Sequence, residues 1–214
     1  MQAGLWLWLA SLGWNPVALA LLLVAFGAWI TGGLHLDGLM DSADGLAAGR
    51  ARCLEAMEDS RVGASGVQAL LLVVLIQLAA LIRLDGMAPL ALMIAGFWSR
   101  CAPLWAIARF PYLRQRDGTA SFHCRHGRGF WDCLPAALVL LSALLVVLSL
   151  PLPESHKLVL LAGIGCGVIP TLVVPQWLGM RLGGHSGDSY GASMVLTETI
   201  TLLLLSLLWQ GSTG

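Results

Sequence analysis

Apolar runs dominate this chain and are broken at intervals by short polar stretches. A helix needs about 20 mostly apolar residues to cross a bilayer. Runs of that kind fall at about 14–30, 67–82, 88–108, 134–150, 158–178 and 192–209. A shorter apolar run, 5–12, precedes Asn15-Pro16 and reads as the tail of a further span. The pattern predicts an all-α fold: a polytopic membrane helix bundle of about six spans, the first truncated, forming one integral membrane domain over 1–214. Glu198 falls inside the last run, where an ionisable side chain is costly and faces either the bundle or a cavity.

The connections alternate in size. Long polar loops are expected at about 31–66, 109–131 and 179–191, and short ones at 83–87 and 151–157. If spans alternate in direction, all three long loops share one side of the membrane. Arg50, Arg52, Arg61, Arg109, Arg114, Arg116, Arg125, Arg128 and Arg181 fall on that side, against Arg83 and Lys157 on the other. The positive-inside rule then places the long loops in the cytoplasm.

Composition agrees with this reading. Hydrophobic residues make up 57% of the chain and charged ones 11%, less than half the share usual for a soluble domain. Net charge is zero, and no dense basic patch with interleaved aromatics exists, so nucleic-acid binding has no support. The five cysteines lack paired spacing, and His123-Cys124-Arg125-His126 lacks regular metal-ligand spacing and reads as a polar loop. The N-terminus has no basic n-region and does not read as a signal peptide. No internal repeat is visible, which weakens a transporter reading.

The chemistry concentrates in the long loops. Asp37, Asp41 and Asp44 are spaced i, i+4, i+7, so on a helix they fall within an arc of about 60°. Three carboxylates on one stripe repel each other and call for a cation. Oxygen ligands of this kind suit Mg²⁺, Mn²⁺ or Ca²⁺ rather than zinc, and Mg²⁺ commonly takes one or two carboxylates with water and phosphate completing its shell. His35 beside them reads as a general base, as a hydrogen-bond partner that fixes an aspartate, or as an interfacial structural residue. Further on, Asp59-Ser60-Arg61 precedes Gly63-Ala-Ser-Gly66 at the start of a span. There a helix N-terminus and an arginine suit a phosphate; a capped helix start with a solvated Arg61 is the alternative. Gly183-Gly184-His185-Ser186-Gly187-Asp188 before the last span suits phosphate binding too, with Asp188 as a metal ligand or a helix cap. Together these residues suit metal-assisted transfer of a phosphorus group at the cytoplasmic face.

The run Thr31-Gly-Gly-Leu-His-Leu-Asp-Gly-Leu-Met-Asp-Ser-Ala-Asp-Gly45 closely resembles the signature of the adenosylcobinamide-GDP ribazoletransferases, also called cobalamin synthases. Met57-Glu-Asp-Ser-Arg-Val-Gly63 and Gly183-Gly-His-Ser-Gly-Asp-Ser-Tyr-Gly-Ala192 resemble two further blocks of that family in the same order, and Ser99-Arg100 resembles another family position. The resemblance covers nearly the whole chain. It implies that α-ribazole, or its 5′-phosphate, is joined to adenosylcobinamide-GDP, giving adenosylcobalamin, or its phosphate, and GMP. It also implies Mg²⁺ as cofactor. Asp37, Asp41 and Asp44 would then hold the metal on the diphosphate, and the phosphates or guanosine would meet Asp59, Ser60, Arg61, Gly183, Gly184, Gly187 and Asp188. Family members usually begin with a Thr-Arg-Leu-Pro-like segment that this sequence lacks, so a late start or a shortened variant is expected. Asp41-x-x-Asp44-Gly45-x-x-Ala48 is similar to the opening of the CDP-alcohol phosphotransferase motif, whose remaining aspartates are missing here. A CDP-alcohol enzyme and a cation transporter are the two competing readings.

Overall fold

The computed structural model describes residues 1–113, 129–151 and 154–209. Arg114, Arg116, Arg125, Arg128 and the His123–His126 tract lie outside them. Among the described residues the chain is helical throughout, with one isolated backbone bridge, Tyr112 to His185. The helices are α1 (Gln2–Ser11), α2 (Pro16–Ile30), α3 (Leu34–Ala48), α4 (Cys53–Glu58), α5 (Ala64–Leu84), α6 (Ala88–Arg109), α7 (Leu134–Ser149), α8 (Glu154–Gly165), α9 (Val168–Leu182) and α10 (Gly187–Leu208).

Four helical runs are long and apolar enough to cross a membrane: Ala64–Arg109, Trp131–Ser149, Leu160–Leu182 and Gly187–Leu208. The first cannot be one straight pass, since 46 helical residues would reach about 69 Å. The chain reverses at Asp85, whose φ is +44°, and α5 and α6 descend and return against α10. Arg83 Nε fastens this reversal by donating to the carbonyl of Ser206, 2.8 Å away, near the end of α10.

Two apolar clusters stack along α10. One gathers Leu81 and Leu84 of α5, Ala88 and Leu92 of α6, and Leu202 and Leu205 of α10, with Trp6 of α1 and Leu23 of α2 behind them. The other joins Leu39 of α3, Cys53 and Met57 of α4, Val73 of α5, Leu178 of α9, and Ala192 and Val195 of α10. The short reversal therefore lies at one end of the bundle and α3 and α4 at the other. α7 presents most of its leucines and valines outward, as a lipid-facing helix does.

The structure differs from the hydropathy pattern in three places. The stretch 31–66 was expected as a polar loop and is largely helical. α2 and α3 meet at an 86° bend, made where Gly32 (φ +59°) and Gly33 (φ +72°) take the left-handed conformation that ends α2. The expected span 158–178 is broken between α8 and α9. Trp98 of α6 sits in the break, its indole N–H donating to the Ile164 carbonyl at 2.7 Å, and a side-chain carbon on Gly167 would collide with its ring. The last span starts at Gly187 rather than 192, because Ser186 accepts from the Ser189 N–H while the Ser189 hydroxyl accepts from the Ser186 N–H, a capping box.

This arrangement puts α4, α3 and the start of α10 at the end opposite the α5–α6 reversal. Single cysteines replacing Arg52 and Gly187, in a cysteine-free background, are expected to react with an impermeant maleimide from the same side of the membrane. One replacing Gly86 is expected to react from the other side. Labelling of Arg52→Cys and Gly187→Cys from opposite sides would be incompatible with this fold.

Candidate active site

The three aspartates do share a helix, α3, but they serve different ends. Asp37 is exposed, while Asp41 and Asp44 are half-buried. Asp44 turns to the N-terminus of α5. Its two carboxylate oxygens accept the backbone N–H groups of Gly63 and Gly66, each at 2.8 Å. Those N–H groups belong to the first turn of α5, where helical donors have no partner of their own and an anion is favoured. A β-carbon at Gly63 would strike the Asp44 carboxylate, and one at Gly66 would lie 2.6 Å from it. The Gly-x-x-Gly block thus forms an anion site, and the anion it holds is part of this chain.

Asp59 and Arg61 engage each other. The guanidinium donates from Nε at 3.0 Å and from Nη2 at 2.6 Å to the two oxygens of Asp59, and the Arg61 N–H adds a bond at 3.0 Å. These hydrogen bonds hold the Asp59 carboxyl down at about 2, below the usual carboxylate range. Arg61 and Ser60 remain exposed to solvent, so the pair is screened and adds little to stability.

The loop before α10 is mostly buried. Gly183 ends α9 in the left-handed conformation, and Gly184 passes so close to Pro111 that a β-carbon would lie 2.6 Å from its carbonyl oxygen. Two backbone bonds tie the loop to the segment after α6: Leu113 N–H to the His185 carbonyl at 2.7 Å, and His185 N–H to the Pro111 carbonyl at 2.9 Å. His185 and Ser186 have no exposed surface. His185 Nε2 lies 3.0 Å from the Pro175 carbonyl, an acceptor only, so Nε2 carries the proton and Nδ1 accepts from the Ser189 hydroxyl at 3.0 Å. Phe110 meets the imidazole edge-on, Tyr190 stacks on it, and Tyr112 stacks on Tyr190. Gly187 is half-buried as the first residue of α10, and Asp188 is half-buried in its first turn.

The helices α3 and α10 bring the candidates together. A β-carbon at Gly38 would lie 2.5 Å from the backbone oxygen of Asp188, and one at Gly191 would lie 3.3 Å from the Cα of His35. The two backbones therefore touch directly. Asp37 and Asp41 flank that crossing on α3, and Asp188 stands in it on α10. Arg61, paired with Asp59, belongs to a separate exposed loop.

No group of three or more His, Cys, Asp or Glu side chains among the described residues is close enough to form a metal cage. The donor set at the crossing, carboxylates at a solvent-open helix edge, fits instead a hard divalent ion shared with substrate phosphates.

Sequence reasoning passed over the stack of Phe110, His185, Tyr190 and Tyr112. Its only signal was the recurrence of aromatics on two separate segments. It also did not join His35 to Arg100 and Glu198, which line one cavity with Gln77.

The profile of the family described as cobalamin-5-phosphate synthase matches residues 1–206. The chain belongs to this family. Among similar members is the adenosylcobinamide-GDP ribazoletransferase of Prochlorococcus marinus (strain MIT 9313), 64% identical over 210 residues, covering 97% of this chain and 81% of that protein. Proteins of the same name from Thermosynechococcus vestitus and Desulforamulus reducens are 42% identical over 194 residues and 39% identical over 210 residues. The first alignment spans 88% of this chain and 72% of its relative; the second spans 97% and 80%. No solved structure matches this cobalamin-5-phosphate synthase family member.

Two outcomes follow for the site. Asp44→Ala is expected to lower stability by about 1–2 kcal/mol through loss of the α5 cap, with faster hydrogen exchange at Gly63 and Gly66, and Asp44→Asn to recover part of it. Unchanged exchange in Asp44→Ala would remove the capping role. Burial holds the His185 imidazole neutral, its pKa depressed to about 4. The unfolded chain then takes up a proton first, so this contribution is complete above about 6.5 and is lost as pH falls toward 4. Melting in detergent should weaken over that window by roughly 3 kcal/mol at most. His185→Gln should flatten that part of the profile; an identical slope in the variant would contradict it.

Proposed function

We infer that this chain is an adenosylcobinamide-GDP ribazoletransferase acting late in cobalamin biosynthesis. It joins α-ribazole, or its 5′-phosphate, to adenosylcobinamide-GDP, giving adenosylcobalamin, or its phosphate, and GMP. The observation that carries this reading is the 64% identity to a relative of that name over 97% of the chain. The α3–α10 crossing supports it by gathering carboxylates at one solvent-open edge. The family match leaves the CDP-alcohol and transporter readings without support.

The reaction forms a bond between a ribose oxygen and the phosphorus attached to cobinamide. The bond from that phosphorus to the bridging oxygen breaks, GMP departs with it, and the hydroxyl proton is released. Mg²⁺, the cofactor expected from the family, would neutralise charge on the diphosphate. Asp37 and Asp41 are the residues that would hold it, with Asp188 adjacent. Asp44 supports them from behind by fixing α3 to α5. His35, whose backbone meets Gly191 in the crossing, would accept the hydroxyl proton or orient the hydroxyl. Arg61, released from Asp59, would meet a phosphate. The arginines at this end, Arg50, Arg52, Arg61, Arg109 and Arg181 against Arg83 and Lys157 at the other, favour a cytoplasmic orientation in a bacterial inner membrane, where the nucleotide substrate is found.

The deciding experiment is transfer by purified protein. Adenosylcobinamide-GDP and α-ribazole should yield GMP and a cobalamin in a Mg²⁺-dependent manner. Asp41→Asn should cut GMP release by at least about a hundredfold with membrane insertion intact. Absence of turnover at any Mg²⁺ concentration would count against the transferase, and a fully active Asp41→Asn would remove that residue from the metal site.

A further inference from the structure

At the end of the bundle that carries α3 and α4, an open cavity of about 570 Å³ lies between the end of α3, the start of α4 and the last turns of α9. Leu46 and Cys53 line it from one side, Trp177 and Met180 from the other, and each side adds an arginine, Arg50 and Arg181. Among the described residues no carboxylate lines it. Arg50 follows α3 and reaches across to the end of α9, where a β-carbon on Gly183 would lie 3.3 Å from its Nη2. The free carbonyls of a helix end favour a cation there. Arg181 belongs to the same last turn.

These two arginines differ from the others at this end. Arg52 pairs with Glu55 at 3.6 Å, Arg61 with Asp59 at 2.6 Å, and Arg109 lies over the ring of Phe110 at 5.7 Å. Arg50 and Arg181 make no hydrogen bond or ion pair among the described residues, and both are exposed. Two guanidiniums on one cavity without a counter-ion repel each other, and an anion between them relieves that repulsion. The cavity also has a defined depth. The run Leu160–Leu182 is long enough to cross a bilayer, and Arg181 stands one residue from its end. Trp177, one turn earlier, is exposed at the level where aromatic side chains meet lipid headgroups. Further in, Val173 and Ile169 are exposed at successive turns of α9 and continue an apolar stripe from the cavity into the bilayer.

We propose that this cavity seats the headgroup of an anionic phospholipid, its phosphate between Arg50 and Arg181 and its acyl chains along the outer face of α9. The inference needs only the membrane bundle and goes beyond the transferase reading. Three considerations select this occupant. Paired guanidiniums match the oxygens of a phosphate, and basic pockets between helices at a membrane edge recognise lipid headgroups. The stripe of Trp177, Val173 and Ile169 leads away from the arginines, so a phosphate joined to alkyl chains covers both features, whereas a soluble phosphate covers only the first. A zwitterionic headgroup brings an ammonium as well, and the cavity lining offers it no carboxylate. Asp37 and Asp41, which would hold a substrate diphosphate through a metal, are not part of this lining.

The test uses the full chain, delipidated in detergent and then given equal amounts of phosphatidylglycerol and phosphatidylcholine with the same acyl chains. Native mass spectrometry reads the first lipid bound. Phosphatidylglycerol should be preferred by about tenfold or more. Arg50→Gln and Arg181→Gln should each cut that preference about fivefold, while Arg52→Gln should leave it within about twofold. Glycerophosphoglycerol, the same headgroup without chains, and GMP should fail to displace the bound lipid at about a hundredfold excess. Displacement by either would make the cavity a site for soluble phosphates and overturn the proposal. Equal uptake of the two lipids, or a preference that survives both substitutions, would overturn it as well. The two variants change exposed residues on different elements, so the test stands if one of them does not fold. No turnover is measured, so the outcome is separate from that of the transferase assay.

Discussion

The direct backbone contact between α3 and α10 is the constraint from which the site follows. Lipid tails are as apolar as the side chains they surround, so helices in a bilayer associate through close packing of small residues more than through hydrophobic expulsion. Gly38 and Gly191 supply that closeness here. Because Gly38 meets the main chain of Asp188, α3 must lie across the start of α10, and its acidic face comes to the end of the bundle where the last span begins. The bend at Gly32-Gly33 makes this possible by turning α3 away from the line of α2. The Asp44 cap then fixes the far half of α3 to α5. These contacts, with Leu39 in the apolar cluster, hold a polar helix against a membrane bundle.

A second set of contacts holds the start of α10 itself. The Gly183–Ser189 turn is fastened by its own capping box, by two backbone bonds to the Pro111–Leu113 segment, and by the buried imidazole of His185 between Pro175 and Ser189. Most of the polar atoms in this turn already have partners within the protein. The turn is therefore a rigid support that aims Asp188, and its glycines serve backbone proximity. The loop's resemblance to a phosphate cradle comes from the same glycines, since both uses need a backbone without side chains.

Much of this was legible in the sequence. Apolar runs reveal spans because a bilayer demands long uninterrupted helices, and the i, i+4, i+7 spacing of Asp37, Asp41 and Asp44 marked the face they would share on a helix, although the stretch around them read as a polar loop. The division of labour among them was not legible. Nothing local marks Asp44 as a cap, because its partners, Gly63 and Gly66, are some twenty residues away and donate through the backbone. The α8–α9 break had a local signal in Gly163, Gly165, Gly167 and Pro170, but Trp98, which sits in it, comes from another helix. Glu198 was visible as a costly charge and Arg100 as a family-like position, but only packing shows that they line one cavity. The family resemblance located the motif blocks, and the fold explains why they recur as blocks: each contributes one side of a helix crossing or one helix end.

The capping of α5 by Asp44 also changes the charge balance at the site. A helix N-terminus carries about half a positive charge, which partly cancels the Asp44 carboxylate before any ligand arrives. The negative charge that the stripe presents to an incoming nucleotide is therefore smaller than that of three full carboxylates.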